Sequence, residues 1–544
     1  MIKSEDFKKQ NFLKSDLPFL FLFIIFAAFY YISILDKGPL NAHIWRQADC
    51  LSMTRSYSEG ASFFKPEMNL LFADNYTTSV SAGEFPVLYY MVGKFWKVFG
   101  ESYLSYRLFY LLILFAGVFS FYKSLRILLK DNFWATTISL LLFTSPVFVV
   151  YGVSFLTDVP AFSFVLIALY FLLRYQLEKS LKFFFIAMAF FAFAGLIKTS
   201  SLIAFIFLFF ILFLETLSVK SLGDKKLFKC SIYEWAGFIS AILAIFSWYY
   251  YADYFNSIHK FKYTFNAIYP IWEAKNEVIH ELLKNVRNFT SMVYFSRPVI
   301  FSLIILGILN LFLWKKIPVL AYFSSIIITL GSLIYFILWA PLMGIHDYYY
   351  SALLILFVGI LIPFIWYIKT NHADIFHGYP IKIFLVIFLS YNFVYCLLVV
   401  KLKTSATQGE FVFVGNQKFV NLMKWTNWDL SVNMNRFASM EPYNRQIGIT
   451  AEDKVISMPD FSFNASLYLV NQKGWSDFSN YSKSEDIENL VQKGAKYLFI
   501  SDTNLLKQAF IAPFISNQIG DYKGIRVYKL SKSIPINDST IRSN

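Results

Sequence analysis

Eleven predominantly apolar stretches run along the chain, at 17–35, 104–122, 133–151, 157–175, 181–197, 200–217, 233–254, 297–314, 317–340, 347–368 and 381–401. Each comes close to the about 20 apolar residues that a helix needs to cross the hydrocarbon core of a bilayer. The pattern predicts an α-helical polytopic membrane protein with about eleven transmembrane helices. Between the first two stretches, 45–59 and 86–99 are shorter and mixed, with Lys94 and Lys97 set among Tyr89, Tyr90, Phe95 and Trp96. Such segments suit helices lying in the interface plane, and 272–294 is similar. After residue 402 the hydropathy falls. There 454–458 and 497–501 read as short buried strands, 484–493 as a helix capped by Ser484, and 521–524 as a turn before a last strand at 525–530. This predicts a small C-terminal α/β domain.

Polar residues orient the helices. Lys3, Lys8, Lys9 and Lys14 precede the first stretch and Asp36 follows it with no small-residue cleavage site, so it reads as an uncleaved anchor with its N-terminus inside. Alternate connections then hold Lys123, Arg126 and Lys130; Lys179 and Lys182; Lys220, Lys225, Lys226 and Lys229; Lys315 and Lys316; and Lys369. Lysine and arginine concentrate in this way in cytoplasmic loops. The division that follows is a cytoplasmic tail at 1–16, a membrane module at 17–401 whose outer loop 36–103 carries the interfacial helices, and an extracytoplasmic domain at 402–544. The expected location is the inner (plasma) membrane.

Composition agrees. Of 544 residues, 57% are hydrophobic and 15% charged, against about 25% charged in soluble domains, which excludes an ordinary water-soluble enzyme. The net charge of +14 is accounted for by the cytoplasmic loops and does not require nucleic acid as a partner. Cys50, Cys230 and Cys396 lack the spacing of a metal site or a disulfide framework.

Few charges fall in the middle of the apolar stretches. They collect at the outer ends instead: Arg46, Asp49, Glu84, Arg107, Asp158, Lys198, Arg297, His346 and Asp347. Ionisable groups near a bilayer are costly and mark function more often than soluble ones do. Plainer readings stand beside this one. Arg107 and Lys198 suit snorkelling to headgroups, and Glu84 suits a solvated loop. Asp158 before Pro160 suits the first turn of a helix, and His346 with Tyr348 to Tyr350 suits an aromatic belt. Asp49, between Arg46 and Arg55 on a helix that otherwise presents Trp45, Ala48 and Leu51, has the weakest plain reading.

The run Trp45-Arg46-Gln47-Ala48-Asp49, then Gly83-Glu84-Phe85-Pro86, then Asp158-Val159-Pro160, Leu196-Ile197-Lys198 and His346-Asp347-Tyr348-Tyr349, resembles the type C (GT-C) glycosyltransferases that use polyprenyl-phosphate sugars. Within them it resembles family 39, the protein O-mannosyltransferases and aminoarabinose transferases. The resemblance covers about residues 12–400. It implies transfer of a sugar from a polyprenyl-phosphate donor in the membrane to a glycan, lipid or protein acceptor on the outer side, with inversion. Asp49 matches the catalytic aspartate and is the implied general base. Lys198, Arg297, Arg46 and His346 are candidates for the leaving phosphate, while Glu84, Asp158 and Asp347 complete the substrate-binding set. No cofactor or metal is required by that scheme. Cys50 follows Asp49 where the mannosyltransferases have a glutamate, and Phe85 follows Glu84 where the aminoarabinose transferase has a lysine, so neither substrate is assigned. A lipid or sugar transporter and a polyprenyl-diphosphate ligase or polymerase remain as alternatives.

Overall fold

The computed structural model describes residues 12–39, 43–218, 226–261, 268–344, 346–404, 416–424 and 434–531. Lys3, Lys8, Lys9, Lys220 and Lys225, on which part of the inside/outside assignment rests, lie outside them. The chain forms two compact units: 1–38 with 102–251 and 265–424, and 39–101 with 252–264 and 425–544.

The first unit is helical. Seven described helices are long and apolar enough to cross a membrane, or eight if Asn276–Tyr294 and Arg297–Phe312 form one bent span. Asp16–Tyr31, Asn132–Leu142 and Leu181–Ile197 are shorter apolar helices, so the count of eleven crossings rests partly on helices below the usual length. The stretch 133–151 is also divided, into Asn132–Leu142 and Pro146–Tyr151. Pro146 has no N–H to continue the first helix, and Thr144 turns its hydroxyl back to the carbonyl of Leu141 at 2.7 Å. Between Tyr103–Leu129 and Asp158–Glu178 the backbones approach so closely that a Cβ on Gly117 would sit 2.7 Å from that of Ser163. Small residues permit such contact where lipid offers no hydrophobic drive between helices.

Polar contacts gather the basic connections at helix ends. Asp16 pairs with Lys123 at 2.6 Å and with Arg126, and it accepts from Tyr122 at 3.0 Å. Lys369 donates to the carbonyl of Leu128 at 3.1 Å, and the Trp134 indole donates to that of Phe376 at 2.9 Å. Arg107 is buried, not snorkelling. Its guanidinium donates to the carbonyls of Lys37 (3.0 and 3.1 Å), Gly38 (2.8 Å) and Val153, and lies 4.1 Å from the Phe155 ring centroid.

The second unit holds a five-stranded sheet: β1 (Lys454–Met458), β2 (Gly474–Ser476), β3 (Ala495–Ile500), β4 (Gln518–Tyr522) and β5 (Ile525–Lys529), in the order β2-β1-β3-β5-β4. β1 pairs in parallel with β2 and β3, and β5 runs antiparallel to β3 and β4. The helix at Ser484–Gln492 is capped differently from the expectation. Asp486 reaches back to accept from the amides of Ser482 and Lys483, both at 3.1 Å, while Ser484 donates to the carbonyl of Phe510 at 3.0 Å.

These units cut across the division drawn along the chain. Residues 69–71 extend the sheet beyond β2: Leu71 N–H donates to the Gly474 carbonyl at 2.7 Å, and Gly474 N–H to that of Asn69 at 3.0 Å. Leu71 is buried with Ile456, Met458, Trp475 and Leu498 in one core, so 39–101 belongs with the tail. Residues 416–424 belong to the helical unit instead, because Phe419, Val420 and Met423 pack with Val293, Tyr395 and Val399. Among the described residues, the sheet-bearing tail therefore starts at 434 and does not include 416–424, which the expected boundary at 402 places in it.

Candidate active site

In the second unit, Asp49 sits in the second turn of the helix Ile44–Glu59 and is 1% exposed. A helix brings positions three apart together, and Arg46 lies 3.8 Å from Asp49. The guanidinium is held by another partner: Arg46 Nη2 donates to Glu84 Oε2 at 2.8 Å. The Tyr89 hydroxyl, on the helix Val87–Phe99, donates to the same oxygen at 3.1 Å and lies 3.3 Å from Cys50 Sγ. Glu84 thus fixes Arg46 in place, and Asp49 Oδ1 is left buried with no hydrogen-bond partner. A buried polar atom in that state costs about 1–3 kcal/mol, and more if charged.

Burial is the main cause that raises the Asp49 carboxyl from its ordinary 3.8 to about 7, with Asp460 and Glu84 adding to it and Arg46 opposing it. Such a value suits a group that takes a proton near neutral pH. Burial also pushes the Cys50 thiol up to about 12, partly offset by Arg46, so at neutral pH the neighbour of Asp49 is a neutral thiol and not a nucleophile.

Asp460 was not foreseen. It follows β1 and is buried, accepting from the amides of Ser462 (2.9 Å) and Ser466 (2.8 Å) and from the Ser462 hydroxyl. The same loop meets the Asp49 helix directly: the Asn464 side chain donates to the Ala48 carbonyl at 3.5 Å and accepts from Leu70 N–H at 3.0 Å. No local pattern marks Asp460, which reaches the site from about 410 residues away along the chain.

The first unit carries the remaining candidates. Asp158 opens the helix Asp158–Glu178, as its position before Pro160 suggests, and also pairs with Lys198 at 3.4 Å. Lys198 lies 5.8 Å from the Tyr349 ring centroid. Asp347 accepts from Tyr151 and pairs with the buried Lys403, which lies 3.4 Å from the Tyr151 hydroxyl. Lys403 and Tyr151 were likewise not foreseen, since each looks ordinary at the end of an apolar helix. His346 precedes the eight-residue 3₁₀ helix Asp347–Leu354 and stands beside the rings of Tyr348 and Tyr349, at 5.4 and 6.3 Å. Arg297 is exposed in the first turn of the helix Arg297–Phe312. Arg46, Asp49 and Glu84 thus form one cluster, Asp158 and Lys198 a second, and Asp347 a third with residues outside the expected set. Among the described residues, no three His, Cys, Asp or Glu side chains group as metal ligands.

A sequence profile described as dolichyl-phosphate-mannose-protein mannosyltransferase matches residues 83–251, which include Glu84, Asp158 and Lys198 but not Asp49. Among solved structures, ArnT from Cupriavidus metallidurans in the apo state matches with a TM-score of 0.54 at 13% identity, covering 95% of this chain and 98% of that one. ArnT from the same organism bound to undecaprenyl phosphate matches with a TM-score of 0.54, 13% identity and the same coverage, 95% and 98%. No curated protein sequence matches the chain. The chain therefore has the fold of ArnT over nearly its whole length. The helical module with a small C-terminal α/β domain that hydropathy predicts is the architecture of that fold.

Proposed function

We propose that this membrane protein is a glycosyltransferase that moves a sugar from polyprenyl phosphate to an acceptor on the outer side of the membrane, with inversion. The observation that carries the reading is the buried carboxylate of Asp49, with one oxygen unpartnered and its value raised to about 7. The fold and the profile match support the reaction class, and the polyprenyl phosphate bound to ArnT supports the carrier.

In this reaction Asp49 accepts the proton of the acceptor hydroxyl as its oxygen attacks the anomeric carbon. The bond from that carbon to the phosphate oxygen breaks on the opposite face, and polyprenyl phosphate departs with the electron pair. A positioned base contributes about 100- to 10,000-fold. Arg46, locked by Glu84, supplies a fixed positive charge beside the base. Lys198, with Arg297 and His346, is assigned to the phosphate, because cations placed in advance stabilise a departing anion without reorganising. Asp158 orients Lys198, and Asp347 anchors Lys403.

Mass spectrometry of envelope glycans from cells with and without this chain tests the proposal. One saccharide is expected to disappear while its polyprenyl-phosphate precursor accumulates. Identical glycans and an unchanged lipid-linked pool would contradict it.

A further inference from the structure

The second unit contains a cavity of about 490 Å³, separate from the Asp49 carboxylate, with Phe72, Tyr76, Phe261, Phe463, Phe478 and Tyr481 among its walls. We propose that it binds a saccharide ring of the acceptor. The inference rests on the glycosyl-transfer reading and adds the acceptor class: a glycan or glycolipid whose sugar is held here.

The walls fit that ligand. Phe72 and Phe463 are nearly buried, at 8% and 6% exposure, and form the floor, while Phe478 and Tyr76 stand at the rim at 47% and 39%. The floor rings pack edge to face or tilted: Phe72 lies 4.2 Å from Phe261 and 4.8 Å from Phe463, and Phe463 lies 5.2 Å from Phe478, between centroids. Aromatic faces are electron-rich, and the axial C–H bonds of a pyranose present the complementary electropositive face. An apolar peptide or acyl chain would not need the polar groups at the same mouth, where Asn75 and Lys260 line the cavity and Lys493 lies 4.9 Å from the Tyr76 ring centroid. Pockets that combine aromatic walls with a few placed donors are the usual form of small-ligand sites.

The rim is built deliberately. Asp74, Asn75 and Tyr76 all take left-handed backbone, with φ of 49°, 59° and 63°, which is rare for a tyrosine. The conformation is held from outside the turn. Asp74 N–H donates to the His259 carbonyl at 2.8 Å, the Asp74 carboxylate meets His259 Nδ1 at 2.8 Å, and it accepts from the Thr78 hydroxyl at 2.6 Å. The indole of Trp475 donates to the carbonyl of Tyr76 at 3.1 Å.

One wall of the cavity also adjoins the loop that bonds to the Asp49 helix. Phe463 lines the cavity, and the next residue, Asn464, bonds to Ala48 beside Asp49 and to Leu70, another wall residue. Phe463 is therefore the immediate chain neighbour of a residue that bonds to the Asp49 helix.

The test uses the full chain in lipid nanodiscs, extracted without sugar-based detergent. Methyl β-glucoside, methyl α-mannoside and methyl β-galactoside are probed by saturation-transfer NMR at about 10 mM, where a millimolar site is mostly filled. At least one is expected to take up saturation at its axial C–H protons. F478A, at an exposed position, is expected to weaken binding about tenfold, and N75G, which keeps the left-handed backbone available, is expected to weaken it too, both at unchanged melting temperature. D49N is expected to bind the saccharide as wild type does while losing transfer. No saccharide signal, an equal signal in F478A and N75G, or binding of cyclohexanol in preference to every sugar would overturn the subsite. Loss of transfer in D49N would still stand in those cases, so the two proposals fail separately.

Discussion

Replacing Asp49 with Asn separates two effects that a loss of activity alone confounds. The Asp49 carboxyl is shifted from 3.8 to about 7, chiefly by burial, so the folded chain favours its neutral form. Below about pH 4 the carboxyl is protonated in both the folded and the unfolded chain, and its ionisation costs nothing. As pH rises from there the unfolded chain releases the proton first, and the penalty on the fold grows until about pH 7. The full difference corresponds to about 4 kcal/mol. Asparagine is nearly the same size and neutral at every pH, so D49N escapes this penalty. In detergent, D49N is expected to melt several degrees above wild type at pH 8, with the gap narrowing toward pH 5. Its transfer rate is expected to fall by about 100-fold or more. A variant more stable yet inactive is the signature of a destabilised base. Equal melting at pH 5 and pH 8, or a D49N that melts lower at pH 8, would refute the burial argument, and retained transfer would refute the role.

Other perturbations follow from the same contacts. Wild-type transfer is expected to rise with pH through about 7 as Asp49 ionises, and both D460N and E84Q, which remove charges that raise its value, are expected to move that limb to lower pH in a pH–rate profile. K403M leaves Asp347 buried without its cation and is expected to cost about 3–5 kcal/mol, while K403M combined with D347N recovers part of the loss in thermal melts. R107M strips donors from the Lys37, Gly38 and Val153 carbonyls, and is expected to lower thermal stability with little change in the pH–rate limb.

What was legible in the sequence was mostly local. An apolar run long enough for a bilayer is a helix wherever it folds, and each of the eleven stretches is at least partly helical. β1 and β3 were legible because both are nearly buried runs, and β5 because a turn precedes it, at 523–524 alone, since 521 and 522 of the expected turn belong to β4. β2 is three residues long and depends on its neighbours, with Gly474 so close to Val455 that a Cβ would fall 1.9 Å from its carbonyl oxygen. β4 has no buried residue and carries no alternation. The membership of 39–101 in the sheet-bearing unit depends on backbone pairing between Leu70 and Gly474, about 400 residues apart, which no local signal encodes. Asp49 stands out because an acid flanked by Trp45, Ala48 and Leu51 near a bilayer has few plain uses. Arg46 is three positions before it, so their pairing was legible, whereas Glu84 as its clamp and Asp460 as its neighbour arise only from the folded chain.

The role of Asp49 as the base is tested most directly by following a polyprenyl-phosphate-linked radiolabelled sugar in membranes that contain either wild-type protein or D49N at matched abundance. Label is expected to leave polyprenyl phosphate for an acceptor only with wild type, and to stay on polyprenyl phosphate with D49N. Equal turnover in the two membranes, or label that crosses the bilayer while remaining on its lipid, would contradict it.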